Sequence, residues 1–350
     1  MRDALFGNGP AIAPIPTVSA TVSNAYVTSL LAAVDVETPV LDETAVVMTT
    51  SGSTGNPRAV ELSAENFAAV GDEVAPGANW VAALPFTSVG GFNVLARARM
   101  HGGDICVAES VGGARPFTPE IFARAVFALS DTIATSIVPA QLARLLDDEL
   151  GIAALARCNT ILVGGGPTSS ALQQRASEHG ISLTLTYGMT ETTGGCVYDG
   201  RPVGDTELSI IDGRIQISGS CVALKYRDDP VGFDGRFLTQ DTGSLSDGVL
   251  RVTGRVDDIV SINGVNVSPV AVEEVLRSMP TIKDAAVVVA HDTLHAFIVT
   301  SSPQAIADAI NLVTGELGKV AVPESFTERD SLPHLPNGKI DRQELLKGVK

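Results

Sequence analysis

The sequence has 350 residues, 45% of them hydrophobic and 18% charged. That excludes a disordered chain and allows two or three globular domains. A formal net charge of −16 argues against broad binding to nucleic acid or an anionic membrane, so any phosphate ligand must be held by local groups.

Cys106, Cys158, Cys196 and Cys221 are too widely spaced for a Cys-x-x-Cys pair or a secreted disulfide framework. Residues 1–5 lack a signal-peptide pattern and no apolar run has membrane-spanning length, which reads as a cytoplasmic protein without membrane insertion. Residues 7–24, rich in Gly, Pro, Ser and Thr, read as irregular, and 25–34 as a short helix. An apolar, β-branched strand at 45–48 leads into Thr49-Thr50-Ser51-Gly52-Ser53-Thr54-Gly55-Asn56-Pro57-Arg58. A second strand at 59–62 follows, and Ser63 then caps a helix. Such a loop turns backbone N–H groups and hydroxyls toward one anion, and Arg58 adds a fixed charge with a phosphate-shaped donor fork. The spacing is not that of the P-loop nucleotidases, and a Ser/Thr/Gly run taken alone also reads as a flexible surface loop.

Strands at 80–84, 105–108, 134–138, 160–163 and 182–186 alternate with helices at 92–100, 118–129, 139–149 and 168–179. The alternation predicts α/β layers around a largely parallel sheet. Ligands in such folds collect where strands end in glycine turns, and the turns at 49–55, 164–166 and 187–192 share that place. From about residue 200, short alternating segments separated by Asp-Gly turns predict an antiparallel β subdomain reaching to about 253. A small α+β module follows over 254–350, with a hairpin at 259–267, helices at 269–278 and 303–317 and strands at 285–290 and 295–300. The expected division is therefore 1–253 and 254–350. His291 and His295 fall in a strand hairpin, share no helix face, and read as structural.

Four stretches outside the first loop carry chemistry. Tyr187-Gly188-Met189-Thr190-Glu191-Thr192 sets a hydroxyl beside a carboxylate after a strand, a donor pair suited to Mg²⁺. Gln240-Asp241-Thr242-Gly243 offers a carboxylate able to accept both hydroxyls of a ribose. Gly254-Arg255-Val256-Asp257-Asp258 and Ile262-Asn263-Gly264-Val265 sit at the junction of the two modules. Leu335-Pro336-Asn337-Gly338-Lys339 ends in one lysine on a turn. Singly, these residues read equally as a solvated glutamate, a turn aspartate and a surface lysine.

Taken in order from about 45 to 345, Thr-Ser-Gly-Ser-Thr-Gly, Tyr-Gly-Met-Thr-Glu, Gly-Arg-x-Asp-Asp and Pro-Asn-Gly-Lys resemble the adenylate-forming superfamily of acyl- and aryl-CoA synthetases, adenylation domains and luciferases. The resemblance implies two half-reactions: a carboxylate attacks the α-phosphorus of MgATP to give an acyl-adenylate, and a thiol, usually coenzyme A, displaces AMP. It implies that Thr50, Ser51, Gly52, Ser53, Thr54 and Gly55 with Arg58 cradle the β- and γ-phosphates. Gly164, Gly165 and Gly166 with Tyr187, Gly188 and Met189 would line the adenine side, Asp241 and Arg255 would hold the ribose, and Thr190 and Glu191 would hold Mg²⁺. Lys339 would act at the α-phosphate. Ser88, Val89, Gly90, Gln141 and Gly165 would border the acid, Gly264 the coenzyme A channel, and Asp257 would be the hinge about which the smaller domain turns.

Several positions depart from the family pattern. Arg58 replaces the usual lysine and keeps the charge, and Ala59 replaces a glycine. Thr87 and Ser88 stand where many relatives carry an aromatic residue and a histidine, between the acid pocket and the thiol tunnel. Only 48 residues precede Thr49. This compact length resembles the short o-succinylbenzoate–CoA ligases of menaquinone biosynthesis, which implies a small aromatic carboxylic acid as substrate with ATP and coenzyme A; another aryl or acyl acid, a carrier-protein thiol and a non-catalytic nucleotide binder are the alternatives. A homodimer is compatible with this reading.

Overall fold

The computed structural model describes residues 2–5, 7, 9–19, 22–50, 57–71, 73–256, 260–262, 265–333 and 340–349. Strand β1 (Thr44–Thr49) and strand β2 (Ala59–Ser63) pair antiparallel. Strands β3 (Asn79–Ala82), β4 (Ile105–Val107), β5 (Ile133–Ile137), β6 (Thr160–Val163) and β7 (Thr184–Met189) are parallel to their neighbours. Strands β8 (Gly194–Tyr198) and β9 (Arg201–Pro202) then extend the same sheet antiparallel, giving seven strands in the order β4-β3-β5-β6-β7-β8-β9. Strands β10 (Glu207–Ile211) and β11 (Arg214–Ser218) form a hairpin, and β12 (Lys225–Tyr226) returns to pair with β2. Strands β13 (Arg236–Ser246) and β14 (Val249–Arg255) complete a four-stranded sheet in the order β10-β11-β13-β14.

The expected layers are present: a large α/β domain with an antiparallel β subdomain, then a small α+β domain. In the latter, β15 (Val260–Ile262) and β16 (Val265–Val267) form a hairpin, and β17 (Ile282–Ala290), β18 (Thr293–Thr300) and β19 (Ser325–Glu328) form a sheet. Helices Pro269–Ser278 and Ala305–Leu317 cover one face through Val272, Leu276, Ala309 and Val313, and Leu345 from the last helix covers the other. Buried Glu273 ties these parts together: it accepts from the Val287 N–H at 2.7 Å and pairs with Arg277 and Arg342.

Local chemistry corrects the sequence reading at four places. The helix expected over 139–149 is two helices, Pro139–Leu146 and Glu149–Arg157, because Asp148 caps the second by accepting from the Leu150 and Gly151 N–H groups at 2.9 and 3.0 Å. The helix expected from 92 starts at Val89, since Ser88 caps it. Strand β8 was not expected, because its two glycines carry little strand propensity; it forms because Gly188 passes so close to Gly194 that a Cβ there would overlap the Gly194 carbonyl. Finally, the strand expected over 249–252 continues through Arg255 as β14, held by the cross-strand pair of Arg255 with Asp241.

The first loop does not leave a strand of the parallel sheet. It closes the β1–β2 hairpin, where the Thr50 N–H donates to the Arg58 carbonyl at 2.7 Å. Alternation gives this small sheet two different faces. Val46, Met48, Val60, Leu62 and Tyr226 share one apolar cluster with Phe67 and Phe92, whereas Val47 and Ala59 pack on Val34. The Val47 face also carries Glu61, which is fully buried. Its carboxylate accepts from Thr44 Oγ1 at 2.6 Å, from the Leu41 N–H at 2.9 Å and from Arg227 Nη1 at 2.8 Å. Arg227 spends its remaining donors on the carbonyls of Val34, Asp35, Thr38 and Pro39.

Burial would raise the Glu61 pKa, but the Thr44, Leu41 and Arg227 donors outweigh it and hold the carboxyl below its ordinary value. A depressed carboxyl stabilises the fold fully above its unfolded pKa, about 4.3, and loses that contribution as pH falls through the lower folded value. Glu61→Gln is expected to cost about 3 kcal/mol at pH 7, because it leaves Arg227 buried without a counter-charge. The gap from the parent should shrink as urea unfolding is repeated toward pH 3; a constant gap would exclude the ionic role.

Candidate active site

The parallel sheet gathers most of the expected residues by topology alone. Ser88, Val89 and Gly90 follow β3, Gln141 follows β5, Gly164 to Gly166 follow β6, and Tyr187 to Met189 close β7. Since β3, β5, β6 and β7 are adjacent and parallel, these groups form one row along the carboxyl end of the sheet, where α/β folds bind ligands.

Besides Gly188, glycine is favoured at two points of this row. Gly164 leaves no room for a Cβ against Thr186 Oγ1, and Gly165 has a φ of +80°, a left-handed conformation that side chains disfavour. At the end of β7 the Tyr187 hydroxyl donates to Asp241 Oδ2 at 2.8 Å, and Arg255 Nη1 donates to Asp241 Oδ1 at 2.8 Å. Tyr187 comes from the seven-stranded sheet, and Asp241 and Arg255 are opposed residues of β13 and β14. Burial, and then the Asp241 charge, push the Tyr187 phenol well up, so it remains protonated and donates.

Glu191 lies in a single 3₁₀ turn, Thr190–Thr192, closed by the Thr192 hydroxyl, which accepts from the Met189 N–H at 3.0 Å. The Glu191 carbonyl accepts from the Ala223 N–H at 2.9 Å. Its Oε1 accepts the Tyr226 hydroxyl at 2.7 Å, and burial and that carboxylate raise the Tyr226 phenol. The other face of the Tyr226 ring carries Arg58, whose guanidinium carbon lies 3.4 Å from the ring centroid. Arg58 also grips Asp228 through Nε at 3.0 and 3.1 Å and Nη2 at 2.6 Å. That ion pair is about half exposed, so it is worth roughly 1 kcal/mol or less and yields readily to another anion. Tyr226 and Asp228 belong to no motif noted in the sequence; the only signal was their i,i+2 spacing about Arg227 in a segment of strand character.

The donor chemistry at the turn fits a hard cation. Thr190 and Glu191 present oxygen ligands, and among the described residues no group of three His, Cys, Asp or Glu side chains could hold a metal alone. That suits Mg²⁺, which is bound through one or two carboxylate oxygens together with phosphates and waters.

Two residues expected to border the acid have their polar atoms committed to the backbone. The Ser88 hydroxyl donates to the Pro85 carbonyl at 2.7 Å and accepts from the Gly91 N–H at 3.2 Å. The Gln141 amide donates to the Ala83 carbonyl at 2.9 Å and accepts from the Val138 N–H at 3.1 Å. They set the shape of that end of the row, tying the end of β5 to that of β3. Ser51, Gly52, Ser53, Thr54, Gly55, Asp257, Gly264 and Lys339 lie outside the described residues. Arg342, three positions after Lys339, is anchored by Nη1 donating to Glu273 and to the Val287 carbonyl. His295 is structural as expected, its ring contacting the Ser325 and Thr293 hydroxyls.

Cys196 and Cys221 are buried free cysteines, and the Thr193 hydroxyl donates to the Cys221 carbonyl at 2.8 Å.

Comparison with known proteins agrees with this geometry. Residues 11–227 match the family model for AMP-binding enzymes, and 271–339 match that for the AMP-binding enzyme C-terminal domain. The chain is 34% identical, over 99% of its length and 93% of the relative's, to a probable 2-succinylbenzoate–CoA ligase of Mycobacterium tuberculosis. It is 28% identical, over 87% of its length and 69% of the relative's, to the 2-succinylbenzoate–CoA ligase of Bacillus subtilis. Among solved structures it is similar to the Bacillus subtilis o-succinylbenzoate CoA synthetase in complex with the acyl-adenylate intermediate, with a TM-score of 0.70 and 26% identity over 86% of this chain and 69% of that one. With both family models matched in order, and the larger one spanning more than half of the sequence, the chain belongs to the AMP-binding enzyme family.

Proposed function

We propose that this protein is an AMP-forming acid–thiol ligase that converts 2-succinylbenzoate, ATP and coenzyme A to 2-succinylbenzoyl-CoA, AMP and pyrophosphate, a cytoplasmic step of menaquinone biosynthesis. The observation that carries the reading is the row of expected site residues at the adjacent strand ends, on a chain that aligns with a probable ligase of this kind over nearly its whole length. No described helix is long and apolar enough to cross a membrane.

In the first half-reaction a carboxylate oxygen of the acid attacks the α-phosphorus, the bond to the bridging oxygen of the β-phosphate breaks, and pyrophosphate leaves. In the second, the thiol sulfur attacks the acyl carbon, AMP leaves with its phosphate oxygen, and the thiol proton passes to solvent. The first step brings anions together, so binding and fixed positive charge dominate its catalysis. The hydroxyls and N–H groups at 50–55 and Arg58 bind the β- and γ-phosphates. Magnesium, when bound through Glu191 and Thr190 with ATP, neutralises phosphate charge. Gly164, Gly165, Gly166, Tyr187, Gly188 and Met189 line the adenine side, and Asp241, oriented by Tyr187 and Arg255, accepts from the ribose hydroxyls. Ser88, Val89, Gly90, Gln141 and Gly165 bound the acid. The domains divide near 254, Asp257 is the hinge, and rotation about it exchanges Lys339, acting at the α-phosphate, for the Gly264 loop that borders coenzyme A.

A pyrophosphate-release assay over a panel of acids tests the substrate. 2-Succinylbenzoate should give the highest kcat/KM; release with benzoates or fatty acids but none with 2-succinylbenzoate would refute it. Lys339→Ala should lower adenylation by at least about 100-fold while thioester formation from supplied acyl-adenylate is spared. Equal loss of both steps would exclude the assigned role. Asp241→Asn, which weakens a charged acceptor of several hydrogen bonds, should raise the KM for ATP about ten-fold and leave the KM for the acid unchanged.

A further inference from the structure

We infer that Tyr226 is a positioning residue that presents Arg58 and Glu191 to ATP as one unit, a cation for the terminal phosphates and a carboxylate for their metal, held at a set separation by a single aromatic ring. The inference rests on the adenylating reading above and assigns a role to a residue outside the motifs read in the sequence.

The geometry is specific to a tyrosine. Its ring is fixed from behind, packed edge-on against Phe233 with centroids 5.0 Å apart and planes at 76°. Its backbone is fixed by pairing with Val60 in β2 and by Arg227, whose side chain is locked on the opposite face by Glu61. One face of the ring carries the Arg58 guanidinium at 3.4 Å and its hydroxyl reaches Glu191 Oε1 at 2.7 Å. Arg58 immediately precedes β2 and Glu191 lies in the turn after β7; they touch Tyr226 by unrelated interactions, so no local sequence constraint explains their meeting on it. Asp228, two residues on, completes the grip on Arg58 and holds its fork on the Tyr226 side of the sheet.

The chemistry gives this arrangement a use. Mg²⁺ demands nearly ideal octahedral geometry at about 2.1 Å, so a carboxylate that wanders among rotamers binds it poorly. A hydrogen bond to one Glu191 oxygen fixes the carboxylate plane and leaves the other oxygen for the metal. A positioned outer-shell donor of this kind changes metal affinity by about 10- to 100-fold. Stacking likewise leaves the edge donors of Arg58 in plane, where a phosphate can exchange for the Asp228 carboxylate that holds Nε and Nη2.

The test is calorimetric titration of the full-length protein with ATP at a series of Mg²⁺ concentrations, with no acid present. Tyr226→Phe keeps the ring, the Arg58 stack and the Phe233 contact and removes only the hydroxyl. It should raise the Mg²⁺ concentration that half-maximally tightens ATP binding by about ten-fold, while ATP binding in chelator and the melting temperature match the parent. Tyr226→Leu should weaken ATP binding in chelator as well, because Arg58 loses its platform. In a Glu191→Gln background, Tyr226→Phe should add no further loss of Mg²⁺ response. An unchanged Mg²⁺ response in Tyr226→Phe, or additive losses with Glu191→Gln, overturns the inference while leaving the adenylating reading intact. Failure of the parent protein to bind ATP with Mg²⁺ overturns both.

Discussion

The buried pair of Glu61 and Arg227 is the interaction on which the candidate site depends. Two charges taken out of water cost several kcal/mol each, and attraction alone seldom repays that. Here the cost is offset by hydrogen bonding: Glu61 takes donors from Thr44 and Leu41, and Arg227 satisfies four carbonyls of residues 34–39. The pair welds the irregular stretch after the first long helix, the β1–β2 hairpin and the short β12 strand into one body. Partial pairing would be worse than none, because any unmatched donor here is fully desolvated.

That body supplies the phosphate side of the site, whereas the adenine and acid sides come from the carboxyl ends of the parallel strands, and the ribose side from a third sheet. Each sheet is rigid by itself. The seven-stranded and antiparallel sheets share an apolar cluster that includes Cys196, Val197, Ile215, Ile217 and Leu250, and polar contacts add direction: Tyr187 on Asp241, Tyr226 on Glu191, and Asn93 Nδ2 donating to the Thr193 carbonyl at 2.6 Å. Two tyrosines thus serve as cross-sheet spacers, long enough to reach and polar only at the tip. In the smaller domain buried Glu273 plays a similar part, since it anchors Arg342, three positions after Lys339.

Much of the fold was legible because it rests on local signals. The Ser63 cap marked the helix after β2, alternating strands and helices marked the parallel sheet, and Asp-Gly turns marked the antiparallel one. The pairing of Asp241 with Arg255 was also legible from motif order. What escaped depends on contacts distant in sequence. Strand β8 is glycine-rich and forms because the chain must pass closely by β7. The break at Asp147 and Asp148 looks like a polar turn of one helix until Gly151 is seated against Leu145. Ser88 and Gln141 look like free polar groups in sequence, but each is consumed by neighbouring backbone. Tyr226 and Asp228 carried no motif, and their meaning appears only when Arg58, about 170 positions earlier, is stacked beside them.

The two-faced segment formed by β12 and the turn residues Arg227 and Asp228 has a further consequence for how such a chain can vary. Arg227 points to the structural anchor, while Tyr226 and Asp228 point to the phosphate side, so stability and ligand handling alternate residue by residue along four positions. A single insertion or deletion between Ala223 and Asp229 would exchange the two sets, burying a carboxylate behind the sheet and turning the anchoring arginine toward the nucleotide side. A one-residue length change in this segment therefore disturbs the anchor and the phosphate side together, and the hydrogen-bonded stretch Ser220–Val222 before it, buried at Cys221 and Val222, leaves no slack to absorb the shift.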